Sequence, residues 1–246
     1  MNAKSITLKN LTALIATLSL VLLSLPVLAV DTLPLSIPGL GTMSVSSKVI
    51  ESFDRPDAWG THTNSNGAQL DIEYGVYRAY TPTAGYVWGL NTQEQMDGVT
   101  DVQITPLTIY TDVGAGIMCR ADVSDNGNGY YFMINPNGYY SIRMGQGSDI
   151  IPLIDWQRSK AIHTGIDQNT IRAVCLGDHL AMYVNDELVA SVVDDTYNSG
   201  YAGLAVAGGI HGTDMSFDNL TLYSVQPRRP ILVRNQNRTK KTLVSE

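Results

Sequence analysis

The sequence predicts an all-β chain folded as an antiparallel two-sheet jelly-roll sandwich. Three observations predict it. From Val49 onward, short apolar stretches alternate with polar residues at a period of two, and none holds the 3.6-residue period of a helix. Gly, Asn, Asp and Pro clusters punctuate these stretches at turn-like intervals. The composition agrees, with 22 Gly and 13 Tyr but only three Phe in 246 residues, 44% of them hydrophobic, enough chain to bury a sizeable core.

Taken in order, Lys4 and Lys9 precede the apolar run Leu11 to Val30, and Val27-Leu28-Ala29 offers small residues where a signal peptidase cuts. Residues 1–29 are therefore read as a signal-peptide helix, with an uncleaved anchor as the alternative because the run approaches the ~20 residues that span a bilayer. The mature chain is expected to be exported, as a secreted, periplasmic or cell-surface protein. Residues 30–48, rich in Ser, Pro, Gly and Thr, read as a linker, and residues 49–226 as the sandwich. Its expected strands begin at Ile50 to Asp54. Ala68 to Tyr80 follows, interrupted at Gly75, then Tyr86 to Leu90 and Val99 to Ile109, where Pro106 points to an edge or a bulge.

The centre of the pattern is Gly114 to Met144. Ile117 to Val123 alternates, Tyr130 to Ile134 is aromatic and β-branched, and Tyr139 to Met144 follows the turn Asn135-Pro136-Asn137-Gly138. Proline presets φ there and Gly138 accepts a positive one, so a hairpin is expected. Ile151 to Trp156 adds a strand, and Arg158 to Gln168 a polar loop. Thr170 to Leu176, Leu180 to Val184 and Leu188 to Val193 form a meander with hairpin-length turns. Tyr201 to Ala207 and Met215 to Val225 close the domain. Residues 227–246 lose the pattern and read as a disordered basic tail.

Charge separates these parts. Residues 30–226 hold 8 Lys and Arg against 22 Asp and Glu, a net −14, while 227–246 hold 6 against 1, a net +5. An acidic domain argues against nucleic acid as its partner, since phosphate binding needs clustered cations. Membrane contact is expected only through the N-terminal segment, if it stays uncleaved.

Several motifs occur in a fixed order. They are Phe53-Asp54-x-Pro56-x-x-Trp59, Gly116-x-x-Cys119-Arg120, Tyr130-Tyr-Phe-x-Ile134 with Gly138-Tyr-Tyr-Ser-Ile142, Ile171-Arg-x-Val-Cys175-x-Gly-Asp-x-Leu180-x-x-Tyr-Val-Asn185, and Phe217-Asp-Asn-Leu220. Across Ile50 to Val225 this order resembles bacterial exported members of the concanavalin A-like lectin/glucanase superfamily, nearest its laminin G-like and ketodisaccharide hydrolase-like modules. The resemblance implies the jelly roll, and a function among lectins, carbohydrate-binding modules, glycosidases and adhesion domains. It also implies a structural calcium, with Gly75 and Asp218 at the positions that hold it in related glucanases and Glu51 close enough to join them; hard oxygen ligands suit that ion. The alternative is that Asp218 caps a turn.

A glucanase of this superfamily needs a Glu-x-Asp-x-x-Glu strand to aim its carboxylates at one face. The nearest approach here is Asp71-Ile72-Glu73, which lacks the final carboxylate. The four histidines, His62, His163, His179 and His211, are scattered in loops, and no nucleophile elbow, phosphate loop or Cys-x-x-Cys is present. Catalytic residues are therefore assigned to none.

Cys119 shares a strand face with Ile117 and Ala121, and Cys175 with Ile171 and Ala173, so both point inward. In an oxidising compartment they are read as one disulfide, with two buried free thiols as the alternative. Aromatic residues supply the candidate ligand contacts. Trp88, Tyr131, Tyr140 and Trp156 are read as a stacking platform on the concave sheet, because sugar rings present apolar C–H faces to aromatic rings. Arg120, alternating outward from Cys119, is expected to reach the same groove, with a cross-strand ion pair as its alternative. The function read from these residues is an exported, non-catalytic module for a glycan or another envelope component. The alternatives are a glucanase-type glycoside hydrolase and a laminin G-like protein-interaction domain.

Overall fold

The computed structural model describes residues 33–54, 59–124 and 126–225, and all their regular structure is β. The segments read as signal peptide and basic tail lie outside the described residues. In chain order the strands are β1 (Leu33–Ile37), β2 (Gly41–Glu51), β3 (His62–Thr63), β4 (Gln69–Glu73), β5 (Val76–Thr81), β6 (Gly85–Gln95), β7 (Gly98–Pro106) and β8 (Gly114–Ala121). They continue as β9 (Gly129–Ile134), β10 (Tyr139–Gln146), β11 (Asp149–Arg158), β12 (Asn169–Leu176), β13 (His179–Val184), β14 (Glu187–Val193), β15 (Gly200–Gly208) and β16 (Thr213–Val225).

The strands form two antiparallel sheets. Ten lie in one, ordered β14, β13, β12, β7, β16, β5, β4, β3, with β2 also paired to β16 and β1 to β2. Six form the other, ordered β11, β10, β9, β8, β15, β6. The main core fills the space between them and includes a group of aromatic rings, Phe53, Trp59, Tyr77 and Phe217, with neighbouring centroids 5.6–6.4 Å apart.

Two turns show how local chemistry sets the hairpins. Asn185 and Asp186 both take positive φ, 50° and 67°, between β13 and β14, the pairing a two-residue hairpin turn demands. Gly138 takes φ 87° after Asn135-Pro136-Asn137, as its sequence requires.

The segment read as a linker is instead structured. β1 and the start of β2 form a hairpin whose Ile37 is buried against Val99, Val174, Ala181 and Tyr183 on the outer face of the ten-stranded sheet. The Tyr183 hydroxyl donates to the Pro38 carbonyl across this contact. Ser, Thr and Pro mask a short apolar alternation, Leu35 and Ile37 then Met43 and Val45, which is sufficient to cover that face.

β16 explains an irregular alternation. Its first half pairs with β5 from Thr213 to Phe217, and its second half with β2 from Leu220, while β7 runs along the other side of both. The changeover is a bulge in which Asn219 takes φ 51°. The bulge lets Phe217 and Leu220, three residues apart, both enter the core. Pro106 is the last residue of the interior strand β7; its neighbour β12 reaches only Ile104, so the missing N–H breaks no ladder on that side.

Cys119 on β8 and Cys175 on β12 form a disulfide that ties one sheet to the other. Cys175 shares its face with Ile171 and Ala173, but Cys119 does not share one with Ala121. Arg120 between them takes φ 52° at a register shift, and the bulge turns Ala121 to the opposite face.

Candidate functional site

The outer face of the six-stranded sheet carries a second apolar cluster, separate from the main core. Register places its residues in rows across the strands. Arg143 on β10 faces Tyr131 on β9, which faces Met118 on β8, then Gly203 on β15 and Leu90 on β6. The next row runs from Ser141 through Met133, Gly116 and Ala205 to Trp88. Between the rims, Gly116, Gly203 and Ala205 alternate with Met118, Met133 and Tyr131, and aromatic side chains stand at both rims. Trp156 reaches across from β11, its ring edge 3.4 Å from where a side chain on Gly114 would begin. From β6, Tyr86 meets the ring of Tyr131 edge-on at 6.0 Å.

β11 presents Trp156 this way because of an irregularity. Ile142 of β10 pairs with Ile154 and Tyr140 with Gln157, so Asp155 and Trp156 together stand opposite Ser141. The Asp155 carboxylate lies 3.5 Å from Nη1 of Arg143, and the Ser141 hydroxyl donates to the Ile154 carbonyl at 2.8 Å.

The connection from β8 to β9 crosses one end of this face. The Tyr131 hydroxyl donates to the Gly127 carbonyl at 2.7 Å, and a Cβ on Gly145 would fall 1.9 Å from that same oxygen. Gly145 is therefore a glycine because backbone rests on it. Asp122 anchors the loop by accepting from the Ser124 N–H at 2.9 Å and the Asn126 amide at 3.3 Å, which hold its carboxyl below the ordinary aspartate range. Beside Trp88 and this loop lies a cleft of about 290 Å³ that His62 and Asp122 help to line.

Three of the expected aromatic contacts, Trp88, Tyr131 and Trp156, come together on this face. Tyr131 is fully buried, and burial raises the pKa of its hydroxyl. Tyr140 stands on the opposite side of β10 in the main core, its hydroxyl donating to Gln157 at 3.2 Å. Arg120 does not reach the face either. Its guanidinium donates to the Met96 and Tyr197 carbonyls at 2.9 and 2.8 Å and to Asp97 at 3.2 Å, with only 2% of the side chain exposed. The positive φ at the bulge withdraws it from the alternation. Sequence reasoning missed Tyr86, Ser141, Arg143 and Asp155. The first three were findable, since residues paired with or two positions from a known outward residue face the same way.

The carboxylates considered for glycoside cleavage stand elsewhere. Asp71 and Glu73 lie on β4 of the ten-stranded sheet, where Glu73 pairs with Arg78 at 3.2 Å. The oxygens considered for calcium lie where β16 changes partner. Glu51 is opposite Leu220, and Gly75, at φ 77°, sits in the turn before the β5 residues that pair with β16. The Glu51 carboxylate accepts the Phe53 N–H at 2.8 Å, and Asp218 accepts the Asn219 N–H at 2.6 Å. The donors are hard oxygens of the kind calcium takes. Among the described residues no group of three or more His, Cys, Asp or Glu side chains is placed to hold a metal ion.

No protein-family model and no curated protein matches this chain. Solved structures do. The carbohydrate-binding module CBM66 from Bacillus subtilis matches at a TM-score of 0.53 and 18% identity, over 69% of this chain and 98% of that one. A prokaryotic β-1,3-1,4-glucanase (lichenase) from a mouse hindgut metagenome matches at 0.54 and 13%, over 72% and 99%. The Bacillus licheniformis β-glucanase matches at 0.52 and 11%, over 73% and 99%. The chain therefore has the concanavalin A-like lectin/glucanase fold.

Proposed function

We propose that this is an exported module that binds a glycan on the outer face of its six-stranded sheet and performs no chemistry on it. The observation that carries the reading is the pair of aromatic rims, Tyr86 and Trp88 on one side and Trp156 on the other, over a floor of Gly, Ala and Met residues. Rings so placed offer flat apolar surface to the C–H faces of a sugar, while Arg143 and Asp155 offer hydrogen bonds to its hydroxyls. The solved structures that share the fold include a carbohydrate-binding module and glucanases, which favours a glycan over a protein partner. The disulfide accords with folding outside the reducing cytoplasm. Glycoside cleavage needs two carboxyl groups flanking one bond. Of the acidic groups weighed for that role, Asp71 and Glu73 are on the other sheet, while Asp155 stands beside a cation.

The test is a glycan array probed with the wild-type chain and with Trp88→Ala and Trp156→Ala, beside a hydrolysis assay on β-glucans. Binding that falls roughly tenfold or more in the variants, without release of reducing ends, is the expected result. Hydrolysis that Asp155→Asn abolishes would replace the binding reading with a glycosidase. Calcium rests on the resemblance alone: if Glu51, Gly75 and Asp218 hold an ion, a chelator lowers the unfolding midpoint, and an unchanged midpoint removes the metal.

A further inference from the structure

Four arginines among the described residues are at least partly buried, and one of them differs from the rest. Arg78 directs Nε and Nη2 to Asp214 at 2.8 and 2.5 Å and Nη1 to Glu73 at 3.2 Å. Arg172 makes a two-pronged contact with Asp101 at 2.6 and 2.8 Å. Arg120 has its three acceptors on Met96, Tyr197 and Asp97. Arg143 is not matched in this way. Only 15% of its side chain is exposed, yet its Nε is buried with no hydrogen-bond partner. Its Nη1 makes only the long contacts to Ser141 Oγ at 3.3 Å and Asp155 Oδ1 at 3.5 Å.

Its surroundings direct that unused capacity toward the glycan face. Arg143 stands beside Tyr131, and it is near enough to Tyr86 that its charge opposes the rise burial gives to the Tyr86 pKa. Asp155 is 77% exposed, a solvated counter-ion that a ligand can displace. A guanidinium is a planar fork of donors that matches a planar carboxylate with two parallel hydrogen bonds, and a sugar hydroxyl uses only part of it.

We propose that the glycan bound on this face carries a carboxylate, as a uronic acid does, and that Arg143 is the residue that reads it. The inference rests on the glycan-binding reading above. Arg143 stands one residue row from Trp88 and Trp156 on the same face, so a ring stacked there can turn a carboxylate toward the guanidinium, whereas a neutral sugar meets it with hydroxyls alone.

The test is an array printed with uronate-containing glycans, the same glycans after carboxyl reduction, and sulfated glycans. It is probed with the full chain, Arg143→Met and Arg143→Lys, and unfolding midpoints report whether each variant folds. The expected result is binding to uronate members that drops about 30-fold or more on carboxyl reduction and in Arg143→Met, the lower range for removing one partner of a buried charge pair. Arg143→Lys keeps the charge but not the fork and recovers only part of the loss; it also serves if Arg143→Met fails to fold. Equal binding to reduced and unreduced members, unchanged in both variants, overturns the carboxylate and leaves the glycan reading standing. Preference for sulfate over carboxylate likewise overturns the assignment of the anion. Binding to no glycan overturns both readings together.

Discussion

The disulfide is the feature whose removal has the most calculable effect. Cys119 and Cys175 are 56 residues apart and join β8 of the smaller sheet to β12 of the larger, both side chains being buried. In the chain-entropy description, closing a loop of that length restricts the unfolded ensemble by about 4 kcal/mol at 25 °C. For a domain of about 200 residues, a loss of that size lowers the melting midpoint by roughly 10 °C. The perturbation is Cys119→Ala with Cys175→Ala, since Ala at both sites leaves no thiol to mispair. Urea unfolding of both proteins, with m compared to verify that the unfolded states are alike, gives the difference. Thiol titration of the denatured, unreduced wild type is expected to find no free sulfhydryl. Two free sulfhydryls in protein taken from an oxidising compartment, or a stability change under about 1 kcal/mol, would refute the reasoning.

Three further outcomes follow from the same coordinates. Arg120→Met strands the Met96 and Tyr197 carbonyls and leaves the Asp97 carboxylate with the Gly177 N–H but no cation, and is expected to cost about 3–5 kcal/mol in urea unfolding. Gly145→Ala drives a Cβ into the Gly127 carbonyl, so it is expected to destabilise by about 1–3 kcal/mol and to change the fluorescence of Trp88, whose ring lies 3.6 Å from where a Cβ on Gly127 would stand. At alkaline pH, Tyr130 is held protonated by burial and by its 2.5 Å hydrogen bond to Asp194, and its pKa is pushed up to about 12. The folded pKa exceeds the unfolded one, so its contribution is complete below pH ~10 and is lost as pH rises toward 12. Tyrosinate absorbance followed alongside unfolding is expected to show the late-titrating hydroxyls ionising with loss of structure; their ionising in the intact fold near pH 10 would contradict this.

The sandwich was legible because alternation, turn residues and motif order all pointed to it. The meander from Thr170 to Val193 could be read strand by strand, since each turn carries its own chemistry at Gly177 and at Asn185-Asp186. The β1–β2 hairpin escaped because its apolar positions are sparse, and because what they cover, the outer face of a sheet, is fixed only once the fold exists. The candidate face was half legible. Trp88, Tyr131 and Trp156 do share one face, Trp156 through an irregularity of β11 that alternation does not foresee, while period two sent Arg120 outward, where a left-handed backbone residue broke the count. A positive φ at an arginine, unlike one at Asn185 or Asp186, leaves no mark in the sequence. Arg143 was passed over because its distinction is what it lacks, and an unmet donor can be seen only against the acceptors that satisfy Arg78, Arg120 and Arg172.

Among the described residues, the last strand in chain order is the one on which the larger sheet turns. β16 lies between β7 on one side and β5 and β2 on the other, so the early strands have no backbone ladder to the β7, β12, β13 and β14 group until it arrives. A growing chain can form hairpins locally, but it cannot join the two halves of that layer while residues 213–225 are still being made. Closure of the domain thereby waits for residues 213–225, and joining segments so distant along the chain makes it a slow step.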